Sequence, residues 1–187
     1  MSTLYTNNII SPESSTPILQ STGNIVQCSR VRYDSRTTWS SNPTGNGTEI
    51  TGLRLTISPR HSGNLLLCQW VLSGELAHDN VFLVFRDGGL ITTGGEQGYN
   101  NEVGNARWSG FISSTYDSAN DQNSTPHHWY IQYFCNADST ASRFYSPAVR
   151  KSDGGSDTLH LNRTYGSGGQ DGFEITVSTG VIYEITR

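Results

Sequence analysis

The sequence predicts an all-β protein, an antiparallel sandwich or barrel behind a short extended N-terminal arm. Ser, Thr, Asn and Gly supply 78 of the 187 residues, while Ala, Lys and Met together number only 8. The first group favours strands, caps and turns, and the second builds helices. Short apolar stretches, either alternating with polar residues or unbroken, recur between turns rich in Gly, Pro and Asn. Amphipathic runs long enough for a helical bundle, or for the crossover helices of a doubly wound enzyme, are missing. Disorder is disfavoured because only 15% of residues are charged and 10% are aromatic.

The elements follow in chain order. Residues 1–22 are polar, with Pro12 and Pro17, and read as an arm. Its apolar positions, Leu4, Tyr5, Ile9, Ile10, Ile18 and Leu19, would anchor it on a neighbouring protein, since alone it has little to bury. Residues 23–187 form the β domain. Ile25 to Tyr33 is its first strand, and residues 34–48 are a loop around Trp39. Leu53, Leu55 and Ile57 alternate with Arg54, Thr56 and Ser58, the period of a half-buried strand. Ser58-Pro59-Arg60-His61-Ser62-Gly63 is a turn. The run Leu65-Leu66-Leu67-Cys68-Gln69-Trp70-Val71-Leu72 suits a strand covered on both faces.

Val81 to Phe85 is a second such strand, and Arg86-Asp87-Gly88-Gly89 turns it into Leu90-Ile91 as a hairpin. Residues 92–109 read as loop, and Phe111-Ile112 as a short strand. His128 to Cys135 places Trp129, Ile131, Tyr133 and Cys135 on one face, and His128, Tyr130, Gln132 and Phe134 on the other. Leu159 and Leu161 alternate around His160. Phe173 to Val177 and Val181 to Ile185 close the chain as two strands about a turn at Ser178-Thr179-Gly180. About eight to ten short strands at this spacing are what a sandwich or barrel contains.

Charge and cysteine usage narrow the function. The net charge is −4 without any Lys/Arg cluster, so neither nucleic acid nor an anionic membrane has an electrostatic footprint. Of the 12 cationic residues only Lys151 is lysine, and arginine suits interfaces better. No apolar stretch is long enough to insert in a membrane, and Met1-Ser2-Thr3-Leu4-Tyr5 does not open a secretory signal. Cys28, Cys68 and Cys135 lie among apolar or aromatic neighbours without a CxxC pair and read as reduced core cysteines. We therefore expect synthesis and assembly in a reducing cytosol. The triplets at Asn46, Asn123 and Asn162 match the glycosylation pattern by chance in a chain so rich in Asn, Ser and Thr.

Catalytic and metal chemistry find little support. His61, His78-Asp79, His127-His128 and His160 lack zinc spacings, and adjacent strand residues such as His127 and His128 point to opposite faces. Asp153-Gly154-Gly155-Ser156-Asp157 and Gly168-Gly169-Gln170-Asp171-Gly172 resemble fragments of calcium loops but lack EF-hand spacing, and turn chemistry explains them. There is no G-x-S-x-G elbow, no phosphate-binding glycine pattern and no nominable carboxylate pair. No enzyme activity, cofactor or metal is expected. Trp39, Tyr99, Trp108, Tyr116 and Tyr165 lie among small polar residues, the composition of a recognition surface that could stack on sugars or meet another subunit. The alternative is that they plug the ends of the sandwich.

Two parts of the chain resemble a known group. Met1-Ser2-Thr3-Leu4-Tyr5-Thr6-Asn7-Asn8-Ile9 is similar to the opening of tail-fibre-like virion proteins of marine and cyanobacterial phages. The body resembles their C-terminal β domain at Leu53-Arg54-Leu55-Thr56-Ile57-Ser58-Pro59, Phe85-Arg86-Asp87-Gly88, Trp129-Tyr130-Ile131-Gln132 and Val181-Ile182-Tyr183-Glu184-Ile185. The resemblance implies a jelly roll similar to the C1q and tumour-necrosis-factor family, assembled as a homotrimer with aromatic residues at the subunit contacts. Trp70, Phe82, Trp129, Tyr133 and Phe173 are then candidates for the core or the trimer axis. A long repetitive shaft is missing, which leaves a short fibre, a knob or a decoration protein.

The expected function is thus that of a non-enzymatic phage virion protein assembled in the host cytoplasm. The arm would bind capsid, neck or tail proteins, and the outer loops would bind host surface glycan. A capsid decoration or cement trimer that stabilises the head is the first alternative, and a secreted C1q-like lectin the second.

Overall fold

The computed structural model describes residues 23–41, 46–91, 110–114, 126–153, 155–166 and 174–187, with the backbone alone at 102–103 and 107–108. The arm, residues 1–22, lies outside the described residues, as do Tyr99, Tyr116, Phe173 and the side chain of Trp108. In chain order the strands are β1 (Ile25–Tyr33), β2 (Thr37–Ser41), β3 (Thr48–Glu49), β4 (Leu55–Ile57), β5 (Leu65–Glu75), β6 (Asn80–Arg86) and β7 (Gly89–Leu90). They continue with β8 (Glu102–Val103), β9 (Arg107–Trp108), β10 (Ile112–Ser113), β11 (His127–Asn136), β12 (Arg143–Lys151), β13 (Asp157–Leu161) and β14 (Ser178–Ile185). Among the described residues the one helical element is a single 3₁₀ turn, Thr51–Leu53.

The strands form two six-stranded antiparallel sheets, besides the small β8–β9 pair. The first holds β1, β14, β5, β13, β2 and β11, and the second holds β10, β6, β12, β3, β4 and β7. Their inner faces enclose one core, which makes the protein an antiparallel β sandwich. Trp70, Phe82, Trp129 and Tyr133 all sit in that core, at most 1% exposed. Phe82 and Trp129 pack with ring centroids 5.0 Å apart, and Tyr133 stacks edge-on to Phe111 at 5.7 Å. The Trp70 indole N–H donates to the Leu53 carbonyl at 2.9 Å, so its one polar atom is satisfied. Opposite Trp70 the register places Gly180, where a β-carbon would come within 2.5 Å of the indole.

Several sequence expectations hold. β1 covers Ile25 to Tyr33, and β11 buries Trp129, Ile131, Tyr133 and Cys135 while exposing His128, Tyr130, Gln132 and Phe134. The hairpin after β6 turns through Asp87 (φ 53°) and Gly88 (φ 79°), the two left-handed residues that a type I′ turn requires. Both faces of β6 are covered, because Val81, Leu83 and Phe85 form a second buried cluster with Ala148.

Other expectations need correction. Trp39 is not in a loop: β2 pairs with β13, and Trp39 is half-buried with its ring 6.0 Å from that of Tyr33. Leu53 begins its stretch in the 3₁₀ turn, so β4 starts at Leu55. Ser178 to Gly180 is not a turn but the start of β14, and Glu174 to Val177 is irregular with one bridge from Ile175 to Arg163. Cys68 and Cys135 are buried, but Cys28 is exposed, because β1 turns it to the outside opposite Tyr183. β12 has no counterpart among the sequence-predicted strands, and Pro147 at its centre explains why. Central strands normally exclude proline, which cannot donate to the ladder. The Pro147 carbonyl accepts from Ile50 N–H at 2.9 Å, so its nitrogen points to the same edge, where β4 ends at Tyr145 and β3 begins at Ala148. The missing donor faces that break.

Candidate functional site

Two features on the outside of the first sheet carry the functional argument. One is an open apolar face across β1, β14, β5 and β11. Cross-strand register aligns Cys28, Tyr183, Leu67 and Phe134 in one row. The next outward-facing row is Arg30, Val181, Gln69 and Gln132, and the third is Arg32, Thr179, Val71 and Tyr130. Phe134 is 38% exposed, Val71 42% and Tyr130 50%, and Ile25 at the end of the face is 60% exposed. The polar atoms in the middle are mutually bonded: Tyr130 donates its hydroxyl to Gln132 Oε1 at 3.0 Å, and Gln69 Nε2 donates to Gln132 Oε1 at 3.3 Å. A shallow concavity of about 700 Å³ opens here, between Arg30, Arg32, Val71, Tyr130 and Tyr183.

Among the described residues, the run Leu65 to Leu72 therefore finds only its inner face covered. Leu66, Cys68, Trp70 and Leu72 are fully buried, whereas Leu65, Leu67 and Val71 are partly or largely open. Large apolar side chains on contiguous rows of a sheet are the mark of an interaction surface, unlike the scattered apolar residues normal on any protein.

The second feature lies at the far end of β5. β11 occupies one edge of β5 along its length, so β14 (at Leu65–Val71) and β13 (at Gly74–Glu75) share the other edge. β13 and β14 thus lie end to end, and the described residues between them, 162–166 and 174–177, are an excursion from this line. The neck of the excursion is tied by buried polar groups. Asn162 (φ 60°) takes Ser73 O through its N–H at 2.7 Å, accepts from the Ser178 hydroxyl at 2.6 Å, and donates its amide to Tyr33 O and Ser35 O. Ser178 Oγ in turn accepts from Ser73 N–H at 3.0 Å.

Under the start of the excursion sits Glu75, only 4% exposed, whose Oε2 accepts from Tyr165 N–H at 2.6 Å. A cavity of about 230 Å³ opens beside it, lined by Glu75, Leu76, Ala77, Ser156, Asp157, Thr158, His160 and Tyr165. Asp157 Oδ2 accepts from Lys151 Nζ at 2.7 Å and from Asn80 Nδ2 at 2.8 Å. Lys151 Nζ also donates to His78 O at 2.9 Å. Tyr165 is 58% exposed and meets His160 edge-on, with ring centroids 5.1 Å apart. Burial, assisted by the nearby Arg163 guanidinium, holds the His160 pKa below its ordinary 6.5, so the ring is neutral at pH 7.

A third cluster is structural. Glu184 is fully buried on the inner side of β14, where it receives Arg60 N–H at 2.9 Å, His61 N–H at 3.1 Å and Asn64 Nδ2 at 2.6 Å, with Gln27 Nε2 beside them. Burial alone would raise its pKa, and these hydrogen bonds outweigh burial and hold the carboxyl below its ordinary value. The carboxylate closes the sandwich by fastening the turn at residues 58–64.

Of the residues singled out in the sequence, Tyr165 lines the small cavity and Trp39 packs at the core edge. His127 and His128 diverge: His127 packs on Trp129 at 5.8 Å, and His128 is exposed. Among the described residues no cluster of three or more His, Cys, Asp or Glu could hold a metal ion. No helix among them is long and apolar enough to cross a membrane. In the sequence, the outer face is signalled only by Tyr130 and Phe134 on the polar side of β11 and by the unbroken Leu65–Leu72 run. Glu75, Asp157 and His160 have no such signal, because only the end-to-end arrangement of β13 and β14 unites them. No family model and no curated protein matches this chain.

Proposed function

We propose that the chain is a non-enzymatic, homotrimeric structural protein of a tailed-phage virion, built on a C1q- and tumour-necrosis-factor-like jelly roll and displayed as a short fibre or knob. The observation that carries the self-association is the open apolar face of β1, β14, β5 and β11. A continuous apolar strand belongs where both of its faces are covered, and among the described residues the outward side of β5 from Leu65 to Val71 is open. Two further copies that turn the same face to a common threefold axis supply the cover, and closed rotational symmetry then leaves no sticky face outside. The number of copies and the virion setting rest on the resemblance at residues 1–9 and in the β domain.

The arm, residues 1–22, would hold the trimer on capsid, neck or tail proteins, leaving the loop-bearing end outward. Three weak sites on one trimer would act together on a host surface. The test is cryo-electron microscopy of the purified particle, with particles carrying a chain that lacks residues 1–22 beside it. Threefold densities at the neck, tail or a vertex, lost with the arm, support the fibre. Densities at capsid threefold positions indicate the decoration trimer instead, and particles without this chain overturn the virion reading.

A further inference from the structure

We propose that the folded chain joins Lys151 to Asn80 through a covalent amide bond between their side chains, an isopeptide link formed with loss of ammonia and with Asp157 as the proton carrier. The inference goes beyond the virion reading and does not rest on it, since one chain carries all three groups.

Lys151 is the one lysine of the sequence, and the fold buries it. It is the last residue of β12, on the period of two that turns Tyr145 and Val149 into the core. Directly opposite on β6 stands Asn80, fully buried, on the inward row that continues with Phe82 and Val84. Opposed positions of an antiparallel pair bring β-carbons to about 4.5–5.5 Å, a gap that a four-carbon stem spans. Arginine fills every other cationic position of the chain, and its guanidinium never loses its charge. The only side chain with a primary amine, which is a nucleophile once neutral, thus faces a buried carboxamide.

Two shared acceptors hold the reacting groups together. Lys151 Nζ donates to Asp157 Oδ2 at 2.7 Å and to His78 O at 2.9 Å, and Asn80 Nδ2 donates to the same two atoms at 2.8 Å and 3.1 Å. Asp153 Oδ1 stands 3.5 Å from Nζ, and Ala77 O accepts from Nδ2 at 2.9 Å. Asn80 Oδ1 is buried without a hydrogen-bond partner among the described residues. An asparagine kept for packing would pair that oxygen, whereas a reacting carbonyl stays open to the amine. The Asp157 carboxylate takes a proton from the Lys151 ammonium, and burial favours the neutral pair over two charges. The Nζ lone pair then forms the bond to Asn80 Cγ, Asp157 passes the proton to Nδ2, and the Cγ–Nδ2 bond breaks. The departing ammonia takes up the second proton that Nζ releases. An ammonium and a carboxamide thus give a secondary amide and an ammonium ion, Asp157 ends as the carboxylate it began as, and no oxidant or co-reactant is consumed. Amine attack on an amide is slow between separate molecules, and a fixed geometry offers effective molarities of about 10⁵–10⁸ M.

The experiment is tryptic digestion of the folded, then denatured, full chain, read by tandem mass spectrometry. The wild-type chain should yield residues 61–86 joined to residues 151–163, lighter by one ammonia than the two peptides together, with Lys151 uncleaved. An amine-reactive reagent applied in denaturant should leave Lys151 unlabelled. Lys151→Arg keeps the charge and should give only separate peptides. Asp157→Asn keeps the size of the side chain but cannot carry the proton, and should slow linkage by about 10²–10⁴-fold in a chain that circular dichroism shows to be folded. Wild-type chain collected unlinked in urea and then refolded should link with first-order kinetics independent of concentration, and should stay unlinked while in urea. This time course stands by itself if Asp157→Asn does not fold. Separate peptides and a labelled Lys151 in the folded wild-type chain would overturn the bond, linkage at equal rates in urea would overturn the role of the fold, and undiminished linkage in folded Asp157→Asn would overturn the role of Asp157. Because the link forms within one chain, a monomer that carries it refutes the trimer alone.

Discussion

Truncating the two aromatic residues of the open face, Tyr130→Ala with Phe134→Ala, should dissolve the assembly and leave the fold intact. The magnitude follows from exposure. Tyr130 is 50% and Phe134 38% open in the single chain. Aromatic side chains present roughly 200 Å² each, so about 175 Å² per copy awaits cover by a neighbour. At about 25 cal/mol per Å² that is about 4 kcal/mol, or about three decades in the dissociation constant. Because area converts imperfectly to affinity, a third of this, about tenfold, is the smallest effect consistent with the reasoning. Sedimentation equilibrium over a hundredfold concentration range measures it, with a thermal melt of both proteins under conditions where they are monomeric. The wild-type chain should remain assembled at concentrations where the double variant is monomeric. Variant and wild type should then melt alike to within about 0.5 kcal/mol, since both side chains lie outside the core. Equal association of the two proteins would refute this interface.

Three further outcomes follow. Glu184→Gln keeps the shape but loses charge-assisted hydrogen bonds, and should cost about 2 kcal/mol, a fall of about 4–8 °C in Tm. Because the folded-state pKa of Glu184 lies below the ordinary 4.5, its contribution is full above pH 4.5 and fades as pH falls through the lower folded value. The gap between wild-type and Gln melting temperatures should therefore narrow in acid, and a gap independent of pH would refute the role. Gly180→Ala places a β-carbon about 2.5 Å from the Trp70 ring, and should destabilise by about 1–3 kcal/mol in urea unfolding. An unchanged midpoint would show that the packing there is loose. Finally, a maleimide should label Cys28 in the dissociated chain and far more slowly in the assembly, since Cys28 shares a row with Tyr183, Leu67 and Phe134. Cys68 should resist in both states, because burial first, and the neighbouring Cys135 second, push its thiol pKa well up. Equal labelling of Cys28 before and after dissociation would place the interface elsewhere.

The legible parts of the sequence were those where one strand speaks for itself. The alternation from His128 to Cys135 is a local property of β11, and both faces could be assigned without knowing their neighbours. Asp87-Gly88 likewise carries its turn in two residues. β12 was hidden because Ser146 and Pro147 look like a turn until the break between β3 and β4 is known. Trp39 read as a loop residue because Thr, Ser and Asn around it are equally good for edge strands and turns. The small cavity was beyond reach for a topological reason. Glu75 and His160 are cross-strand neighbours only because β13 continues the line of β14 along β5. The outer face was half legible: the Leu65–Leu72 run called for cover on two sides, and the described residues provide one.

The mass of the purified chain by size-exclusion chromatography with light scattering tests the central claim most directly. Self-association through the open face as a trimer predicts three times the 20.5 kDa chain mass. A stable species at the mass of one chain, at every concentration tried, would contradict it.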